Sequence, residues 1–313
     1  MYQFIIALFI LSCSVIYGEN VSDLDKRLER MRNLRLGGSC SIPWKGGVYR
    51  GEIQAIQGNH VKVRVLDHSL PLGKWPLVIF PQAEVKPSTF EKALSNEELI
   101  QSLKDAHILE TPAIEQALRV VDRAWFCLNT PYFDAAIDIG CEVCISSPHM
   151  HVWALELSRD LFKEATSILD VGTGSGYLAA ALAYLSAQAN VYGLEYHEVL
   201  TQRAEQTLQI HVPQLAEQIT LITTDGEQGY LPGAPYDIIH VGFMCQGIPQ
   251  ALIDQLKPGG RLILPAAFEK RRSSYDHRLA SGEFTVVEKR KDGKVQRYRI
   301  MPCSYLPSES LGE

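Results

Sequence analysis

One stretch constrains this chain more than any other. The apolar run Ser167-Ile168-Leu169-Asp170-Val171 is followed by the turn Gly172-Thr173-Gly174-Ser175-Gly176 and then by the helical Tyr177-Leu178-Ala179-Ala180-Ala181-Leu182. Strand, glycine turn and helix in this order form a βα unit of the nucleotide-binding type. The glycines permit a tight turn and close approach of a ligand to the backbone, and the first N–H groups of the helix have no partner within it. The next strand, Asn190 to Glu195, ends on a carboxylate nineteen residues beyond Gly176, where an acid can accept both hydroxyls of a ribose. A third strand, Ile219 to Ile222, leads into Asp225-Gly226, a pair suited to an adenine amine and to close backbone passage.

Both NAD and S-adenosylmethionine use a ribose acid. The spacing Gly-Thr-Gly-Ser-Gly in place of Gly-x-Gly-x-x-Gly, with Asp-Gly closing the third strand, favours S-adenosylmethionine as cofactor. Strand and helix patterns continue through Tyr236 to Gly242 and Pro249 to Leu256, and Pro258-Gly259-Gly260 turns the chain into Arg261 to Pro265. The expected fold class is α/β: a doubly wound, Rossmann-like parallel sheet completed by antiparallel pieces near 284–305. Asp292-Gly293 marks a hairpin turn there.

The front of the chain reads differently. After Gly37-Gly38 the pattern has period two, with strands expected at Val48–Ile53, Val61–Val65 and Leu77–Phe80. Residues 36–87 are therefore expected to form a small all-β module of SH3-like size whose spacing is similar to a Tudor barrel. Trp44 and Tyr49 are candidates for an aromatic cage, against a default reading as core. Pro87-Ser88 closes this module, and Ser95-Asn96-Glu97-Glu98 caps a helix running to about Ala106, with a second from Pro112 through Asp122. A long, mostly unpatterned stretch then runs to Pro148.

Residues 1–18 resemble a secretory signal peptide, with the apolar run Phe4 to Leu11 and Gly18 as the cleavage residue. The expected location is the secretory pathway or the outside of the cell, with the cytoplasm as the alternative. Cys13 leaves with that signal and six cysteines remain, and Asn20-Val21-Ser22 is a glycosylation sequon. No second segment approaches membrane length, so no membrane association is expected after signal removal. With 30 basic and 36 acidic residues the net charge is −6, which makes nucleic acid an unlikely partner. The 46% hydrophobic content is that of a chain with a sizeable core.

The segments Ser147-Pro148-His149-Met150-His151, Asp170 to Leu178, Ala234 to Gly242 and Pro249 to Pro265 together resemble the protein-L-isoaspartate (D-aspartate) O-methyltransferase family. The resemblance covers residues 95–307. It implies methyl transfer from S-adenosylmethionine to the α-carboxylate of an isoaspartyl or D-aspartyl residue in damaged peptides and proteins; separately, a monomer is expected. It places the active-site serine on Ser146 within Cys144-Ile145-Ser146, which also contacts the cofactor, and a cofactor-contacting histidine on His151. The glycine-loop contacts fall on Gly172, Gly174 and Ser175, the ribose acid on Glu195 with Tyr196 beside it, and the adenine pair on Asp225 and Gly226. A carboxylate is already ionised at neutral pH, so attack on the methyl group needs no strong base. His149 and His151 have no third ligand at metal-binding spacing, and no metal is expected.

Two departures from the family pattern bear on activity. Glu142-Val143-Cys144-Ile145-Ser146 stands where the family commonly has Gln-Ala-Thr-Ile-Ser, so a thiol replaces a hydroxyl and a carboxylate is added. The segment Tyr305 to Glu309 also differs from the family's closing stretch. In a secreted chain Cys141 and Cys144 are candidates for a short disulfide. The alternatives are a methyltransferase acting on another protein carboxyl group, and a catalytically weak relative that retains cofactor binding.

Overall fold

The structure, a computed structural model, describes residues 93–127, 129–268 and 279–308 with their side chains, and the backbone of five strands between residues 39 and 87. The expected signal peptide, the sequon and the side chains of Trp44 and Tyr49 lie outside the described residues.

The five front strands are β1 (Ser39–Trp44), β2 (Gly47–Gln57), β3 (His60–Val65), β4 (Leu77–Pro81) and β5 (Lys86–Pro87). They form one antiparallel sheet in the order β4-β3-β2-β1-β5. Three of them coincide with the period-two runs. The first and last were not expected as strands, because Pro43 and Pro87 within them are weak strand formers.

Two helices follow, α1 (Asn96–Asp105) and α2 (Pro112–Val120). Ser95 starts α1 by accepting from the N–H of Glu98, and the Glu98 carboxylate accepts from the N–H of Leu94 at 2.7 Å, a reciprocal cap. Leu99, Ile100 and Leu103 recur at helical spacing and form its buried face. The second helix stops two residues before the expected Asp122. That aspartate instead caps a 3₁₀ turn at Arg123–Trp125 through the N–H of Ala124.

The stretch without periodicity contains a hairpin, β6 (Ile137–Gly140) and β7 (Val143–Ile145). Gly140, Cys141 and Glu142 at its turn all have positive φ, at 97°, 54° and 60°, which β-branched residues could not adopt without strain. No disulfide joins Cys141 and Cys144, the candidate pair, in this structure. Next comes α3 (Pro148–Ser158), buried along nearly its whole length.

The main sheet contains β8 (Ser167–Val171), β9 (Asn190–Glu195), β10 (Ile219–Thr223), β11 (Tyr236–Val241), the short β12 (Cys245–Gln246), β13 (Leu256–Ala267), β14 (Ala280–Lys289) and β15 (Val295–Tyr305). The connecting helices are α4 (Tyr177–Leu185), α5 (Glu198–His211), α6 (Pro213–Ala216) and α7 (Gln250–Asp254). Strand order is β10-β9-β8-β11-β13-β14-β15, with β12 beside β13. The strands from β8 to β13 pair in parallel and the last two are antiparallel, as the alternation of patterns implied. Leu169, Val171, Leu194, Ile239, Val241 and Leu264 form a continuous core. Each such side chain contributes about 1.5–3 kcal/mol on burial. Successive strands leave β8 first on one side and then on the other, so the order reverses between β8 and β11. A crevice opens at the carboxyl ends of strands at such a switch point. Among the described residues no helix is long and apolar enough to cross a membrane.

Candidate functional site

The crevice is a cleft of about 450 Å³. Its floor is backbone. Gly172 has φ +70°, and a Cβ on it would stand 2.8 Å from the Phe243 ring; a Cβ on Gly226 would stand 2.3 Å from Val171 Cγ1. Both distances are shorter than real Cβ contacts, so any larger residue would force the Phe243 ring, Val171 or the backbone to shift. Glu195, at the end of β9, is buried, and its two oxygens accept from the N–H of Gly174 at 2.9 Å and of His197 at 3.0 Å. Each oxygen keeps a second lone pair for a ligand. Tyr196 is exposed at the rim, and Asp225 ties its own loop by accepting from the N–H of Glu227 at 3.0 Å. Leu306, Pro307 and Ser308 line the same cleft, and Ser308 donates to Glu227 at 2.5 Å.

A second cavity, of about 20 Å³, lies inside the glycine turn and takes in Ile145, Ser146, His151, Gly174 and Ser175. A third, of about 220 Å³, is bounded by Ser146, Ser147, Met150, Ser304 and Tyr305. Cys144 and Gly242 line all three, and Ser146 lines the second and third. The three spaces therefore converge on one point, with Ser146 at the passage from the turn to the third cavity. All the site residues expected from the sequence are gathered around these connected spaces.

Several residues here were not anticipated. Burial pushes the Tyr305 phenol far above its ordinary range, and Tyr305 shares the wall of the third cavity with Ser146. Asp170 accepts from the Thr173 hydroxyl at 2.7 Å and pairs with His240 Nδ1 at 2.8 Å. Arg123 is fully buried; its Nη2 donates to the Ser146 carbonyl at 2.8 Å and its Nη1 faces His151 Nδ1 at 3.4 Å. His149, set aside as a ligand, has Nδ1 2.9 Å from both oxygens of Asp134. No group of three or more His, Cys, Asp or Glu side chains suited to a metal ion occurs among the described residues. The sequence held one hint of this layer: the charged pair Asp122-Arg123 sits between Val120-Val121 and Ala124-Trp125-Phe126, where a cation has little access to water.

Comparison with known proteins finds relatives across most of the chain. The family model for protein-L-isoaspartate(D-aspartate) O-methyltransferase (PCMT) matches residues 94–312. Protein-L-isoaspartate O-methyltransferase 1 of Arabidopsis thaliana is 34% identical over 232 residues, covering 72% of this chain and 94% of the relative. The Caenorhabditis elegans protein-L-isoaspartate O-methyltransferase is 36% identical over 222 residues, covering 70% and 94%. A crystal structure of a PCMT-type β-aspartate methyltransferase from Plasmodium falciparum in complex with S-adenosyl-L-homocysteine superposes with a TM-score of 0.62 at 24% identity, covering 69% of this chain and 99% of that one. This last likeness shows the fold.

Proposed function

The chain belongs to the protein-L-isoaspartate (D-aspartate) O-methyltransferase family, and from that premise we infer how its site works. It is an S-adenosylmethionine-dependent enzyme that methylates the α-carboxylate of isoaspartyl residues, the first step in repairing damaged proteins. The observation that carries our reading of the site is the convergence of the three cavities on Cys144 and Gly242, with Ser146 lining the second and third.

The residues present fit the cofactor. The glycine floor admits a flat group against backbone, Glu195 offers free lone pairs for a ribose, and Asp225 stands at the far end for an adenine amine. Gly174, Ser175 and His151 around the small cavity suit the amino-acid end. When bound, S-adenosylmethionine supplies a methyl group on a sulfonium that leaves as a neutral thioether. The acceptor carboxylate is an anion near neutral pH and brings its own electron pair, so the protein has no proton to remove. Ser146 holds and aims that carboxylate by hydrogen bonding from the third cavity, whose wall also carries Tyr305. Catalysis here is positioning where the first and third cavities meet at Cys144, Gly242 and Leu306.

Methyl transfer from labelled S-adenosylmethionine to matched isoaspartyl and aspartyl peptides tests this reading. Labelling of the isoaspartyl peptide is expected, falling about ten- to a hundredfold in Ser146→Ala with cofactor affinity changed by less than about twofold. Equal labelling by that variant would remove Ser146 from the site.

We propose further that residues 36–87 are an SH3/Tudor-like module. A single antiparallel sheet in which β5 returns to pair with β1 supports this. The apolar opening of the chain supports a secreted location, and the net charge of −6 supports a protein that acts without nucleic acid. We take it to act as a monomer, free of the membrane once the signal is removed.

A further inference from the structure

The buried guanidinium of Arg123 has no part in the chemistry derived above, yet it lies directly behind it. Among the described residues no carboxylate forms an ion pair with it. Its neighbours are the Ser146 carbonyl, His151 Nδ1 and the face of Tyr177, whose ring centroid is 5.4 Å from the guanidinium carbon. Tyr177 brings no negative charge, because burial pushes its phenol up to about 12. Nearby Asp134 is turned to His149. A buried cation without a paired anion is costly, so its retention calls for a role beyond packing.

An arginine has donors and no acceptor. The His151 nitrogen facing it must therefore be the acceptor, which leaves the proton of a neutral ring on Nε2. Resting on the reading that His151 serves the amino-acid end of the cofactor, we propose that Arg123 is a positioning residue: it locks His151 as the neutral Nε2–H tautomer and polarises it as a hydrogen-bond donor to the cofactor carboxylate, while its second arm holds the Ser146 backbone in register. The arrangement inverts the familiar carboxylate–histidine relay: a cation behind the ring strengthens donation at its far nitrogen.

The surroundings favour the same state. Facing the ring are Arg123, His149 on the same helix, Tyr177 on α4 at 5.2 Å between rings, and His240 on β11, itself paired with Asp170 on β8. Burial first, then Arg123, His240 and His149, hold His151 well below the ordinary histidine range. The ring is thus kept from taking the second proton that would set it against the guanidinium.

Nitrogen-15 NMR of histidine-labelled full-length protein without cofactor, with the His151 signal assigned from His151→Gln, reads the tautomer directly. Native protein is expected to show a bare Nδ1 and a protonated Nε2 from pH 5.5 to 8. In Arg123→Met the signal should mix tautomers or titrate. Calorimetry with S-adenosylhomocysteine should show an affinity lowered about tenfold at pH 8 and newly dependent on pH between 5.5 and 7. Arg123→Lys, which keeps the charge but not the fork, should keep the ring neutral and recover part of the affinity. A native His151 protonated on Nδ1 would overturn the proposal, as would an Arg123→Met protein with unchanged tautomer and pH profile. If Arg123→Met does not fold, the native spectrum and Arg123→Lys still decide. Native protein that binds no S-adenosylhomocysteine would overturn the cofactor reading and the donor role together, and is distinguishable because the tautomer is read without ligand.

Discussion

The cleft at the ends of β8, β9 and β10 is made largely of backbone, whereas the centre around Ser146 and His151 is made mainly of side chains from five separate segments. In the first, positive-φ glycines and strand ends set the shape, and one carboxylate, Glu195, is held by N–H groups of the same loops. In the second, Arg123 holds the Ser146 carbonyl and faces His151, Tyr305 lines the third cavity beside Ser146, and Asp170 pairs with His240 behind them. A backbone surface tolerates changes of side chain except at glycine, where a single Cβ fills it. A side-chain network should lose function in graded steps, each traceable to one hydrogen bond.

The largest effect is therefore expected from a methyl group. Gly226→Ala puts a Cβ 2.3 Å from Val171 Cγ1, a β-branched side chain in the core with no room to move. Overpacking of this kind costs about 1–3 kcal/mol of stability, and because the displaced backbone is the cleft floor, affinity for S-adenosylhomocysteine should fall by about 100-fold or more. Calorimetry and chemical denaturation on the same preparation separate the two effects. Binding within tenfold of native would mean that the floor yields and that the contrast between the two regions is false.

In the network, Tyr305→Phe removes the hydroxyl beside Ser146 and leaves the ring in place. A hydrogen bond from this hydroxyl to Ser146 or to the acceptor carboxylate would be worth about 0.5–1.5 kcal/mol, so kcat should fall by up to roughly fivefold while cofactor affinity stays within about twofold of native. A loss confined to cofactor binding would assign Tyr305 to the cleft instead.

The same division explains what could be read from the sequence. Gly172, Gly174, Glu195 and Asp225-Gly226 belong to short contiguous motifs at strand ends, where a local pattern and a local structure coincide. Ser146 and His151 were placed through family resemblance, since a loop serine or a lone histidine has no pattern of its own. Arg123 and Tyr305 are 182 residues apart in the chain and meet the site through tertiary packing, which no spacing records. The hairpin β6–β7 was missed for a different reason: its turn uses positive φ at Cys141 and Glu142, residues that do not announce a turn as Asn-Gly does. The front strands β2, β3 and β4 were legible from alternation alone, but β1 and β5 carry proline and were not.

His151 allows a test of the network by pH. With its native value depressed by burial and by Arg123, the unfolded chain binds a proton around and below pH ~6.5 that the native protein does not. Stability must then fall as the pH drops through that region, by at most about 1.4 kcal/mol per pH unit for this proton, and be independent of it above. Denaturant unfolding of the cofactor-free protein at pH 5.5 and 7.5 should show a smaller difference in His151→Gln than in native protein. An identical difference would mean that the native ring is charged, and the side-chain centre would have to be redrawn around a cation pair.

The smallest expected effect falls where the two regions touch. Cys144 lines all three cavities and occupies the position where the family pattern has a threonine. A thiol is a weak donor compared with a hydroxyl of similar size, so Cys144→Thr should strengthen S-adenosylhomocysteine binding by about threefold, in line with part of one hydrogen bond, and leave kcat within about twofold. If the variant instead binds more weakly, the thiol is already engaged in a contact that a hydroxyl cannot reproduce. The junction would then behave as part of the side-chain network. Strengthened binding would place it with the cleft, whose shape the backbone sets and whose lining residues adjust affinity in small steps.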